Sequence, residues 1–548
     1  MNSLKPMLLS SLKNYDKSQF VKDVIAGIIV AIIALPLSIA LALASGVGPE
    51  AGIFTAIVAG FVISALGGSS VQIAGPTAAF ATIVAGIVAH DGMDGLIVAT
   101  ILAGIFLILM GLCHFGSLIK FIPFTITTGF TSGIAVTIVI GQLKDFFGLT
   151  YPTGVKPIET VEKFEAVVNN FSTINMDAVI VGVVSLAILI IAPCIFKRIP
   201  GSLLAVIAGI AMVQLLPLKV NTIGNLYTIS NALPSLHFPS LSLNIIQNAL
   251  PNALTIAVLA AIESLLSCVV ADGMINGKHR SDMELVAQGA GNIASALFGG
   301  IPATGAIART AANIKNGGRT PIAGMVHSIT LVIVLVVLMP YAGMIPMPTI
   351  AAILFIVAYN MCQWRTFVNL VKTAPKSDII VLVTSFVLTV IFDLVVAIEV
   401  GMVLACLLFI KRMSEETKVN GWTYVDDDTP DVDEHLQKLP LQIRVYEISG
   451  PLFFGAASVI EEIAVKDFTK CLVLRMRSVP ALDSTALNAL KDLVQVCESK
   501  GITIVFSHVN DQPMKVMEKA GFIELVGKEN FQPSISAALD RAEEIIHK

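Results

Sequence analysis

The chain has 548 residues, 55% of them hydrophobic and only 14% charged, against about 25% charged in average soluble domains. So much apolar surface excludes an ordinary soluble protein and makes lipid the expected solvent. The small net charge of -4 gives no sign of a nucleic-acid partner, and cysteines scattered singly, with no CxxC pair, suggest neither a zinc site nor a disulfide framework.

The first 20 residues are polar, with Lys5, Lys13 and Lys17. The first apolar run, Val24–Ala44, has no A-x-A-like cleavage site and reads as a spanning helix, not a signal peptide. A bilayer core of about 30 Å needs about 20 apolar residues per helix. Runs near 24–44, 50–66, 76–89, 95–114, 121–142, 177–195, 201–217, 251–275, 284–299, 303–314, 321–341, 346–361, 378–393 and 395–411 give about fourteen spans. An even number puts both termini on one side. Lys22, Lys120, Lys197, Arg198, Lys278, Arg280, Arg319, Arg365, Lys372, Lys376, Lys411 and Arg412 then fall on that side, which the positive-inside rule makes cytoplasmic. The other side receives Asp91, Asp94 and two polar loops, Leu149–Met176, with Lys156 and Lys163 among acids, and Leu218–Asn248.

After Arg412 the pattern changes. An acidic stretch containing Asp426–Asp428 precedes strand 441–449, helix 454–466, strand 470–476, helix 484–499, strand 502–507, helix 512–519 and helix 532–547. Strands alternating with helices indicate a small α/β domain. The expected organisation is a cytoplasmic N-terminal segment 1–20, a transmembrane domain 21–412, an acidic linker 413–436 and a cytoplasmic domain 437–548.

Two membrane segments are unusual. One begins Gly67-Gly68 and continues through Gln72, Gly75, Pro76, Thr77, Ala78 and Ala79. The other begins Gly299-Gly300 and continues through Pro302, Ala303, Thr304, Gly305, Ala306 and Arg309. Each passes a Gly/Pro break into a helix too short to cross alone. They occupy the third and tenth positions, which correspond if the chain is two halves of seven. Seven is odd, so the second half is inverted. Paired broken segments in inverted halves point to a transporter's site. Two half-helix N-termini starting near the midplane would suit an anion; glycine-rich packing faces are the plainer alternative.

Glu263 lies mid-membrane in the eighth segment, where an ionisable residue is costly and signals function. A proton acceptor, a Na⁺ ligand with Ser267 one turn on, and a structural partner for Arg309 are all open. Arg309 lies one turn into the tenth segment, either neutralising an anion or snorkelling to the surface. Gln288 and Asn292 share a helix face and read as packing between helices. Asp393 and Glu399 read as a solvated turn, His114 and His327 as interfacial, and Asp23 as an acid at the start of the first helix. In the soluble part, Asp483-Ser484-Thr485-Ala486 stands at a strand-to-helix turn, where Ser484 or Thr485 is either a phosphorylation site or part of an N-cap. There is no Gly-rich phosphate loop and no nucleophile–base constellation, so no enzyme, cofactor or metal is expected.

Together these residues resemble the sulfate permease family of anion transporters. The resemblance runs from about Asp16 to the end. It is carried by Ala34-Leu35-Pro36, Gly48 to Phe54, Gln72 to Thr77, Pro123 with Thr128 to Gly133, Pro200-Gly201-Ser202, Glu284 to Asn292 and Gly317 to Thr320. The C-terminal part resembles the family's STAS domain, with Ala486 replacing the usual glycine after its phosphorylated turn. The resemblance implies an α-helical polytopic fold, core and gate domains in a seven-plus-seven inverted repeat, elevator-like access and a homodimer. It implies an anion pocket at Pro36, Leu37, Ser38, Gly75 to Ala79 and Ala303 to Ala306, with Glu263 and Ser267 for the coupling ion. The run Gly305–Ile314 is similar to bacterial dicarboxylate carriers of the family, which use protons. Bicarbonate carriers of the family bind Na⁺ at an Asp and a Thr where Glu263 and Ser267 stand, and many members have a Gln where this chain has Leu37. The expectation is a multi-pass protein of the plasma (inner) membrane with both termini cytoplasmic. It would carry C4-dicarboxylate, sulfate or bicarbonate in H⁺ symport. The alternatives are an uncoupled anion exchanger or conductance, Na⁺-coupled bicarbonate uptake, and a non-transporting membrane sensor.

Overall fold

The computed structural model describes residues 4–117, 123–152, 157–195, 200–239, 243–392, 394–422, 439–463 and 468–547. Lys120, Lys156, Lys197, Arg198, Asp393 and the acidic run 426–428 lie outside the described residues. The chain divides into two compact units, Met1–Met402 and Val403–Lys548.

In the first unit a short α1 (Met7–Ser11) precedes α2 (Lys17–Ala44), α3 (Pro49–Leu66), β1 (Ala74–Gly75), α4 (Ala81–Leu112), α5 (Phe124–Phe147) and a surface helix α6 (Thr160–Asn169). Then come α7 (Met176–Ile195), α8 (Gly201–Leu215), α9 (Ile223–Leu226), α10 (Leu243–Ile275), α11 (Ser281–Leu297), β2 (Thr304–Gly305), α12 (Ile307–Lys315), α13 (Ile322–Ala342), α14 (Met347–Cys362), α15 (Trp364–Thr373), α16 (Lys376–Ile391) and α17 (Leu394–Glu416). Eight helices among the described residues are long and apolar enough to cross a bilayer by themselves. The rest of the predicted runs are shorter or broken. The third and fourth runs are joined in α4, which turns sharply at Gly92 (φ +69°). That left-handed conformation is one glycine adopts without steric cost. Outward-facing Ile190, Ile195, Ile333 and Val337 are exposed, the surface a lipid solvent requires.

The helices pack as two groups. α2, α3, α4, α10, α11, α12 and α13 form a core, and α5, α7, α8, α14 and α16 form a gate. In the core, α4 and α11 approach so closely that a Cβ on Gly104 or Gly289 would strike the other helix's backbone carbonyl, the close packing small residues permit between membrane helices.

Asp23 corrects the sequence reading. Asp16, not Asp23, caps the first helix, accepting from Gln19 N at 2.8 Å. Asp23 is fully buried. It accepts from Tyr15 Oη at 2.9 Å, Gln19 Nε2 at 3.0 Å, Arg319 N at 2.8 Å and Thr320 Oγ1 at 2.6 Å, so α2 is tied to the turn after α12. His327 is a second correction. It lies fully buried in α13 with neither ring nitrogen hydrogen-bonded, because that face of α13 packs on α3 at Gly60. His114 is exposed and meets Asp282 at 2.8 Å, and Glu399 is exposed on α17.

The second unit carries β3 (Lys418–Trp422), β4 (Ile443–Ser449), β5 (Cys471–Ser478), α18 (Ser484–Ser499), β6 (Thr503–Ser507), α19 (Asp511–Lys519), α20 (Phe522–Val526), β7 (Phe531–Gln532) and α21 (Ile535–His547). The sheet order is β3-β4-β5-β6-β7. β3 is an antiparallel edge strand inside the stretch read as linker, and the other neighbours are parallel. The two faces carry separate apolar layers, one around Leu474, Leu490 and Phe506, the other around Val473, Val505 and Leu539. In place of the predicted helix 454–466 there is a 3-10 helix, Ala457–Glu462; residues 464–467 are not described. The Asp483 carboxylate, which accepts from Phe454 N at 2.8 Å, fixes the chain just before it.

Burial pushes the Cys471 thiol up to about 12 and the Cys497 thiol up to about 11. At pH 8 only about one Cys471 in ten thousand, and one Cys497 in a thousand, is thiolate, the reactive form. A thiol reagent at that pH should therefore label the exposed Cys113, at the end of α4, and leave Cys471 and Cys497 unlabelled, read by peptide mass mapping.

Candidate functional site

Both broken segments are extended where the sequence breaks, and they pair. β1 and β2 run antiparallel, with Ala74 opposite Gly305 and Gly75 opposite Thr304. Antiparallel strands send their following residues in opposite directions. A 3-10 turn at Ala78–Phe80 leads into α4 from one, and α12 leaves the other. Two half-helix N-termini thus start within a few residues of one short ladder and run oppositely, each with first-turn amides that have no intrahelical partner.

Irregular backbone at membrane depth needs internal partners, and the sequence supplies them on side chains. Glu284 accepts from Gly68 N at 2.9 Å and Ser69 N at 3.1 Å, and Gln288 Nε2 donates to its other oxygen at 2.8 Å. Thr310 Oγ1 accepts from Ile73 N at 3.0 Å, and Asn313 Nδ2 donates to Val71 O at 2.8 Å. For the second break, Thr55 Oγ1 accepts from Ile301 N at 2.7 Å and Ser295 Oγ donates to Ile301 O at 2.8 Å. Asn292 grips Ala303 at both backbone groups, accepting from its N at 2.8 Å and donating to its O at 2.9 Å. Thr304 Oγ1 donates to Ala260 O at 3.2 Å, and Ala306 N donates to Ile73 O at 2.9 Å.

Against this frame lie the predicted site residues. Arg309 is 1% exposed, so it does not snorkel. Its Nη2 donates to Ser38 Oγ at 3.3 Å and Pro76 O at 3.2 Å. Its Nε and Nη1 have no hydrogen-bond partner, and no carboxylate pairs with it among the described residues. Glu263 is half-buried and accepts from Thr77 Oγ1 at 2.9 Å. Ser267 Oγ is 3.5 Å from Thr310 Oγ1, at the limit of a hydrogen bond. Ala78, Ala79, Ala303 and Gly305 are buried, and Thr77 and Ala306 half-buried. Gly75 leaves the space the guanidinium fills: a Cβ there would collide with Arg309 Nη1. Leu37 is half-buried on α2. Pro36 stands apart from the polar group, lining an apolar cavity of about 140 Å³ with Leu203 and Met339.

Asn292, read from sequence as packing between helices, instead holds the backbone of Ala303, and Glu284, quoted from sequence only as part of a family motif, holds Gly68 and Ser69. Their signal was present: Glu284, Gln288 and Asn292 recur every four residues on one face of an otherwise apolar helix. In the second unit Asp483 Oδ1 accepts from Ala486 N at 2.9 Å, so Asp483 is the N-cap, and Ser484 and Thr485 are exposed.

The sequence pattern of the sulfate permease family matches residues 20–385. The chain belongs to the sulfate permease family. The STAS domain pattern matches residues 437–538. This family member is 39% identical to the putative sulfate transporter YvdB of Bacillus subtilis, covering 95% of this chain and 97% of that protein. It is 31% identical to the bicarbonate transporter BicA of a Picosynechococcus species, covering 95% and 94%. Among solved structures, the transmembrane domain of a cyanobacterial BicA aligns at TM-score 0.62 and 29% identity, covering 71% of this chain and 98% of that one. Murine solute carrier 26 family member A9, an anion transporter in its inward-facing state, aligns at TM-score 0.88 over 99% of this chain and 94% of that one. At 20% identity that likeness shows the fold alone. This chain is therefore a multi-pass membrane transporter of anions, not an enzyme.

Asn292→Leu, close in size, leaves both Ala303 backbone groups unpaired. At about 1–3 kcal/mol per buried unsatisfied group, the variant should unfold at clearly lower temperature in detergent than the unaltered protein, read by thermal denaturation.

Proposed function

We propose that this protein takes up a small oxyanion together with protons, the candidates being C4-dicarboxylate, sulfate and bicarbonate, and that the anion binds where β1 and β2 meet. The observation that carries the reading is Arg309: a buried guanidinium with two unpaired nitrogens beside two half-helix N-termini. An uncompensated buried charge is costly, and a bound oxyanion offsets that cost with bidentate hydrogen bonds. Ser38, Gly75 to Ala79 and Ala303 to Ala306 form the surroundings of that anion.

Glu263 is the coupling group in this reading. Its carboxylate is held by Thr77, at the start of one half-helix. When ionised it competes with a substrate anion for the same positive potential; when protonated it does not. Proton and anion therefore bind together, and alternating movement of core against gate carries both. The neighbouring oxygens of Ser267 and Thr310, with the likeness to BicA, support a second reading in which Na⁺ replaces the proton and bicarbonate is the cargo. In this reading the protein is a homodimer in the plasma (inner) membrane with both termini cytoplasmic. In this reading a transmembrane part, 21–412, is followed by 413–436, which contributes the edge strand β3, and by the STAS domain 437–548. The exposed Ser484 and Thr485 at the start of α18 are its phosphorylation candidates, since a phosphate at a helix N-terminus is electrostatically favoured.

The test is uptake by purified protein in proteoliposomes of labelled succinate, sulfate and bicarbonate, each with and without an inward proton gradient. One anion should accumulate only with the gradient, and Glu263→Gln should remove the dependence of uptake on pH. Accumulation driven by Na⁺ instead selects the second reading, and exchange indifferent to both gradients removes coupling altogether. Gly75→Ala should lower uptake at least about tenfold while the protein still assembles, because the added methyl displaces the guanidinium; unchanged uptake would separate Arg309 from the substrate.

A further inference from the structure

A cavity of about 370 Å³ opens between core and gate, away from the contacts described above. At ~30 Å³ per molecule it holds about a dozen waters. One wall is a stripe of α4 running from Thr82 through Gly86 to His90 and Asp91. Thr82 lies two residues beyond the 3-10 turn that starts this half-helix, and Asp91 adjoins the bend at Gly92. At 1.5 Å per residue the stripe is about 13 Å long, so the cavity leads from the second turn of the half-helix to its far end. Thr137 of α5, Asn252 of α10 and Thr389 of α16 supply neutral polar groups along the way.

Over it lies α6, which contributes Glu159, Thr160 and Lys163. The local sequence aims that lysine. Glu159, four residues before Lys163 and on its face, accepts instead from the Glu162 backbone, and the adjacent Glu162 reaches back to accept from Ile158 N at 3.0 Å and Glu159 N at 3.3 Å, so both acids are engaged in capping the helix. The latter bonds hold the Glu162 carboxyl below the usual range. Lys163 is left half-buried with no ion pair among the described residues, and desolvation lowers its pKa. A partly desolvated ammonium whose nearby acids are engaged with backbone amides favours an incoming anion.

We propose that this cavity is the outer vestibule through which the anion reaches the β1–β2 site, with Lys163 on α6 as the cation that recruits it; the inference rests on the transport reading above. The charge pattern fits a passage better than a storage site. Lys163 attracts, whereas Asp91 and Glu159 on the same lining limit how tightly an anion is held. A path must bind well enough to admit its ion and weakly enough to release it.

The test needs no knowledge of the substrate. Nothing lies within 4 Å of a Cβ built on Gly86, so Gly86→Cys places a thiol in the vestibule without a clash. In intact cells expressing the full chain, with Cys113, Cys194, Cys362 and Cys406 changed to serine, the probes are impermeant thiosulfonates carrying either a sulfonate or a trimethylammonium group. The sulfonate reagent should label Gly86→Cys from outside, and faster than the cationic one. Lys163→Gln should slow the sulfonate about fivefold, the effect of one nearby charge in a solvated cleft, and Lys163→Arg should restore it. Thr160→Cys, at the rim, serves if Gly86→Cys does not reach the surface. No labelling from outside, or sulfonate rates indifferent to Lys163→Gln, overturns the proposal. Failure of the transport reading is separate, because it appears as absent uptake with labelling intact.

Discussion

The structure turns on two residues of β1 lying against two of β2. Chain breaks inside a membrane are ordinarily intolerable, because every unpaired amide and carbonyl in hydrocarbon costs several kcal/mol. Here the two breaks meet each other. Each supplies the other with part of its ladder, and the antiparallel sense sends α4 and α12 in opposite directions. Inverted halves, paired half-helices and a polar site in the core all follow from that one contact.

Two residues of strand cannot satisfy some twenty residues of irregular chain, and the remainder falls to side chains from elsewhere in the core. The first break is held by Glu284, Thr310 and Asn313, all from the second half of the chain. The second is held by Thr55 from the first half and by Asn292 and Ser295 from the second. The two halves thus interlock through hydrogen bonds at the place where a substrate would sit, which fixes the half-helix ends before any ligand arrives. Preorganisation of this kind is how a site avoids spending binding energy on ordering itself.

Much of this was legible. Apolar runs marked the spans, and matched Gly-Gly and Gly/Pro breaks marked the third and tenth. Strand-helix alternation marked the C-terminal domain, where helix 484–499 has the bounds the sequence suggested. What was not legible depended on contacts remote in sequence. Asp23 reads as a helix-start acid until Arg319 and Thr320, some 300 residues on, are found on its carboxylate. His327 looks interfacial by position, but its burial is decided by α3. The edge strand β3 hides in an acidic, polar stretch because an edge strand needs little apolar pattern when only one side is paired.

Arg309 shows why the last step needs coordinates. From sequence, an arginine one turn into a short helix has two futures, since its long stem can carry the charge to the surface. Burial of the guanidinium closes that route, and the acceptors it does have are neutral, Ser38 and the Pro76 carbonyl, which leaves the other future, a guanidinium open to an anion. A permanent carboxylate partner would make the arginine a structural pair, and an anion would have to displace it. In the proposed reading, the Glu263 carboxyl on the neighbouring hydroxyl of Thr77 makes the competition conditional instead. That distinction separates a site that merely tolerates an anion from one able to link its binding to a second ion.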